Sequence, residues 1–61
     1  MPNVTAKELS ALEDLLGYEQ VVVKKYRTIA STTTDPVIKS KCEQIAGKHQ
    51  EHYNKLLTFL N

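Results

Sequence analysis

Apolar residues recur along the first half of the chain at Leu9, Leu12, Leu16, Val23, Tyr26 and Ala30, and the steps of three and four close only if position 19 joins the series. That spacing puts one face of an α-helix against a core. Position 19 is a glutamate. Thr5 and Glu8 mark the start of this helix as a capping-box pair, each side chain satisfying a backbone N–H left over in the first turn. The segment "STTTDP" then interrupts the pattern. Its hydroxyl side chains compete for backbone hydrogen bonds, and Asp35 followed by Pro36 is an N-cap with proline at the first helical position. A second stripe runs through Ile38, Cys42, Ile45, position 49, position 52, Leu56 and Phe59. Positions 49 and 52 are histidines.

The pattern predicts one domain over residues 1–61, with helix one over 5–30, a turn over 31–35 and helix two over 36–60. A connection this short forces two helices of about 25 residues, each about 37 Å long, to lie antiparallel. The expected fold class is therefore all-α, an antiparallel two-helix hairpin. Both stripes are wider than a two-stranded seam, because Leu15, Val22 and Ile29 extend the first while Ala46, Tyr53 and Leu60 extend the second. One hairpin cannot cover both, so two are expected to pack as a homodimeric four-helix bundle, a twofold dimer being the commonest way for identical chains to bury a shared patch. The rival arrangement is an adaptor hairpin that docks on a different protein.

Composition sharpens this picture in two respects. At 61 residues the chain buries too little apolar surface to be comfortably stable alone, and its single cysteine, Cys42, excludes an internal disulfide. Oligomerisation or a metal is left to supply the missing stability. A net charge of +1, with no run of like charge longer than Lys24-Lys25, gives no electrostatic basis for a nucleic-acid or anionic-membrane partner. No segment approaches the roughly 20 apolar residues of a membrane span, and "MPNVTAKELS" lacks a signal-peptide core, so a soluble, cytoplasmic protein is expected. Lys41, Lys48 and Lys55 form a row along one flank of helix two, read as a solvated border whose stems cover apolar edge.

The candidate chemistry lies inside the stripes. With the turn near residues 31–34, positions facing one another across the seam have numbers summing to roughly 65–68, so Glu19 faces His49 within about a turn, with His52 one turn further on. Three ionisable groups in an apolar stripe must be mutually bonded, hydrated or metal-bound. A carboxylate accepting from imidazole N–H groups would fix helix register; the same three side chains could instead hold a divalent metal such as zinc or iron. No catalytic serine constellation, glycine-rich phosphate loop or cysteine-pair zinc pattern is present, so hydrolase, nucleotide-binding and zinc-finger functions have no residues to rest on.

The same residues carry a resemblance. "EQVVVKKY" places Tyr26 seven residues after Glu19, and "AGKHQEHYNKL" sets Ala46, His52 and Leu56 at the spacing Ala-x-x-Glu-x-x-His-x-x-x-Leu, with His49 where the pattern has glutamate. Over nearly the whole chain this resembles the ferritin-like superfamily, and within it is most similar to the spore coat protein F-like group. The resemblance implies a ferritin-like bundle, a metal site at Glu19, His49 and His52, and association with the spore coat and other coat proteins, without a demonstrated enzyme activity. Histidine at position 49 removes a bridging carboxylate, which weighs against oxygen-activating di-iron chemistry and towards an imidazole-rich or structural site. Three functions follow as expectations: a structural or coat-associated homodimer with a metal in its polar core, a redox or metal-storage protein with a dinuclear site, and the adaptor hairpin.

Overall fold

A computed structural model describes residues 3–60. It is all-helical over this range: α1 spans Ala6–Thr32, α2 spans Pro36–Leu57, and a final 3-10 turn covers Thr58–Leu60. The two helices run antiparallel and pack along their length into a slab of 46 × 14 × 10 Å. No helix among the described residues is long and apolar enough to cross a membrane.

Both helix starts are built as the sequence predicts. The Thr5 hydroxyl accepts from the Glu8 N–H at 3.1 Å, and the Glu8 carboxylate accepts from the Thr5 N–H at 3.0 Å. The Thr5 backbone N–H, with the Thr5 hydroxyl second, holds the Glu8 carboxyl below its ordinary range. At α2, the Asp35 carboxylate accepts from the N–H groups of Val37 at 2.8 Å and Ile38 at 3.2 Å, and Pro36 occupies the first turn, where its missing N–H costs nothing. Across the turn, the Lys39 ammonium donates to the Ala30 carbonyl at 2.9 Å, placing a cation at the negative end of α1.

The helix ends depart from the sequence expectation. α1 runs to Thr32 because the Ser31 and Thr32 hydroxyls bond back to the Thr28 carbonyl at 2.9 and 3.0 Å, so hydroxyls expected to break the helix extend its last turn. α2 ends at Leu57 and tightens into 3-10 geometry, a common way to satisfy terminal carbonyls, rather than continuing as α-helix to 60.

The seam is thin. Its buried residues are Val23, Ala30, Cys42 and Ala46, together with Glu19, and among the described residues no large side chain is fully enclosed. Small residues let the two backbones approach, and the larger members of both stripes, Leu9, Leu12, Leu16, Tyr26, Ile45 and Leu56, are only half-buried. Ile38 and Phe59 are exposed, as is Leu15. For the second stripe the sequence expectation needs correcting in detail: Ala46 lies at the centre of the seam rather than widening it, while the stripe positions Ile38 and Phe59 are exposed.

Gly17 and Gly47 lie within the helices on exposed faces, and a Cβ added at either meets nothing within 4 Å. Glycine in a helix interior costs roughly 0.5–1 kcal/mol relative to alanine through backbone entropy. Gly17→Ala combined with Gly47→Ala is therefore expected to raise the melting temperature by several degrees, since about 1 kcal/mol corresponds to about 4–8 °C in a chain of this size. Thermal unfolding followed by circular dichroism checks this; a lower melting point would mean that one of these faces needs glycine for a close approach.

Candidate metal centre

Glu19 stands at the middle of α1, thirteen residues from Ala6 and thirteen from Thr32. Among the described residues it is the one buried charged side chain, 7% exposed, because the helical period places it in the seam between Leu16 and Val23. His49 approaches from α2, its Nδ1 lying 2.5 Å from Glu19 Oε1. A carboxylate oxygen accepts, so the His49 Nδ1–H donates. One turn further along α2, His52 Nδ1 lies 3.3 Å from the second carboxylate oxygen, Oε2. Glu19 thus sits between two imidazoles whose ring centroids are 5.3 Å apart and whose planes meet nearly edge-on at 81°.

Burial is graded across the three side chains. Glu19 retains 10% of its side-chain exposure, His49 26% and His52 52%. The open side of the cluster is a groove in which Glu19 and His52 are flanked by Leu15, Leu56 and Phe59, with Lys55 at its border. Among the described residues no buried side-chain nitrogen or oxygen lacks a hydrogen-bond partner, so the cluster satisfies itself as a polar layer.

The three residues could also hold a metal ion. One ligand atom from each can be chosen so that all lie within 4.8 Å of one another. Zinc–nitrogen and zinc–oxygen bonds of about 2.0–2.2 Å put ligand atoms around one ion at most about 4 Å apart, so rotamer adjustments of about an ångström would close the set. The 2.5 Å hydrogen bond between Glu19 and His49 would open by a similar amount to admit the ion between them. Two imidazoles and one carboxylate suit zinc or ferrous iron and leave coordination positions vacant for further ligands.

All three residues singled out from the sequence meet at one place. Glu19 and His49 have numbers summing to 68, at the edge of the range expected from equal helical rise. Cys42 is buried in the seam as a small apolar residue and contributes no atom to the cluster. Lys41 and Lys48 lie on the outer face of α2 with Gln44 and Glu51, consistent with a solvated border. Two contacts were not legible beforehand: the Lys39 bond to the Ala30 carbonyl, and the 3.2 Å bond from the Gln20 amide to the Tyr53 hydroxyl. Both involve long exposed side chains whose rotamers no periodicity determines.

Compared with protein-family models, with curated proteins and with solved structures, the chain matches none.

Proposed function

We propose that the protein is a divalent-metal-binding helical hairpin that assembles as a ferritin-like homodimeric four-helix bundle and serves a structural rather than an enzymatic role. The observation that carries this is the buried Glu19 carboxylate held between His49 and His52 at the middle of the hairpin, beside an uncovered apolar groove. Spore-coat association, with other coat proteins as partners, draws on the motif resemblance alone.

The donor set argues for one ion rather than a di-iron pair. Glu19 is the single carboxylate of the cluster. Glu8 is committed to the capping box, Glu43 lines a groove with Arg27 and Lys39, and Glu51 stands beside Lys48 on the outer face. A dinuclear ferritin-like site needs carboxylates to bridge its metals and offset their charge, and these side chains do not supply them. A single zinc or ferrous ion fits better. When bound, such an ion would cross-link α1 to α2 through Glu19 and the two histidines, and its binding energy would add to folding stability.

The test is metal content after chelator stripping and separate re-equilibration with zinc and with ferrous iron. Wild type is expected to retain between half and one ion per chain, and His52→Ala to bind at least about tenfold more weakly, the usual scale for disturbing a metal site. Wild-type protein that retains no metal would leave the three residues as a hydrogen-bonded layer and remove the metal from the proposal.

A further inference from the structure

The uncovered face of the hairpin has a definite size and a definite polar break. The accessible surface is 4691 Å² for a 6.9 kDa chain. A compact monomer of that mass exposes about 4000 Å², so each chain carries an excess of about 700 Å². That is close to the roughly 800 Å² each partner buries in a stable protein–protein interface.

Two series in steps of seven contribute to this surface. Leu15, Val22 and Ile29 form one series along α1. Ile38, Ile45, His52 and Phe59 form the other, along α2 and the final turn. Leu15, His52 and Phe59 line one groove, which places the two series on the same side of the slab. Leu15, Ile38 and Phe59 are 48%, 46% and 55% exposed, and the His52 side chain matches them at 52%. Whatever covers this face therefore covers His52.

A plain apolar covering would strip water from the open half of that imidazole and leave its second ring nitrogen without a partner. A second copy of this chain avoids the problem through symmetry. Glu19 is the midpoint of α1, so a twofold axis that overlaps the two hairpins along their full length brings both Glu19–His49–His52 clusters to one level. The open, His52 side of each cluster then faces the other.

We infer that the face is closed by a second copy and that a divalent cation gates the closure, with His52 of both copies entering a shared central site. This rests on the metal-binding reading and adds its consequence for assembly. In the metal-free chain, burying His52 opposes dimerisation; with the ion present, the same histidine promotes it. Linkage requires that metal tighten the dimer by the factor by which dimerisation tightens metal binding.

The experiment measures mass by sedimentation velocity and zinc content in the same boundary, at low micromolar chain concentration, for wild type and His52→Leu in chelator and in zinc. Wild type is expected to be mainly monomeric in chelator and dimeric in zinc, with the dimer dissociation constant falling at least tenfold. His52→Leu, which leaves Glu19 its closer partner His49, is expected to dimerise equally in both conditions because the face has become continuously apolar. Circular dichroism confirms helicity in each sample. Zinc bound by a wild-type monomer, or wild-type dimer equally tight in chelator, would overturn the gating while leaving metal binding in place. A His52→Leu dimer that still tightens with zinc would do the same. Absence of bound zinc in wild type would overturn both.

Discussion

Replacing Glu19 and His49 together by leucine is expected to abolish zinc binding and, in chelator, to raise the melting temperature above that of wild type. The pair lies in the seam at 2.5 Å with side-chain exposures of 10% and 26%. Withdrawing a carboxylate and an imidazole from water costs more than their attraction returns unless every lone pair and proton is satisfied. Exchanging such a pair for packed hydrophobic side chains stabilises by about 1–4 kcal/mol in buried cases. Here the lower part of that range applies, about 1–2 kcal/mol, because a quarter of the imidazole still meets water. His49→Leu alone should act in the opposite direction: the buried carboxylate loses its closest donor, a loss of about 1–3 kcal/mol that His52 offsets only in part. Thermal melts in chelator, paired with zinc titrations, separate the two variants. A double variant that melts below wild type without metal would show the layer to be net stabilising in its own right.

The second large effect is expected from Ala46→Leu. Ala46 is 2% exposed, the most enclosed of the apolar seam residues, and the seam around it is made of small side chains including Cys42 and Ala30. Three additional carbons at this close approach force the helices apart or into strained rotamers, at a cost of about 1–3 kcal/mol. At about 4–8 °C per kcal/mol this is a large fraction of the stability of so short a chain. The damage should also reach the metal. His49 lies one turn beyond Ala46 on α2, so widening the seam draws its Nδ1 away from Glu19, and zinc affinity is expected to fall although no ligand has changed. Melts and zinc titrations at matched chain concentration test both parts; unchanged affinity beside a lowered melting point would mean that the helices splay without moving the cluster.

Much of this architecture is written locally. The capping residues Thr5, Glu8, Asp35 and Pro36 act within four residues of chain, so their roles follow from spacing alone and the structure reproduces them. Glu19, His49 and His52 were legible as one cluster for a related reason. Two regular helices leaving a short turn rise at the same rate, so distance from the turn decides which residues face one another. The hydroxyl residues before the turn were misread because each has two options. Ser31 and Thr32 can compete with the helix or bond back to its last carbonyls, and spacing does not choose between these.

The sequence by itself determined the helical hairpin, its caps and turn, and the meeting of one carboxylate with two imidazoles at mid-length, since each of these depends on helical period and chain connectivity. Only the tertiary structure decided how deeply each group is buried and which apolar residues are left over. The seam closes on Ala30, Cys42 and Ala46, encloses Glu19, and leaves Leu15, Ile38, His52 and Phe59 half in water. The reason is geometric: period says which side of a helix a residue occupies, but burial depends on the angle and distance at which the second helix arrives, and those are settled by packing of side chains far apart in sequence.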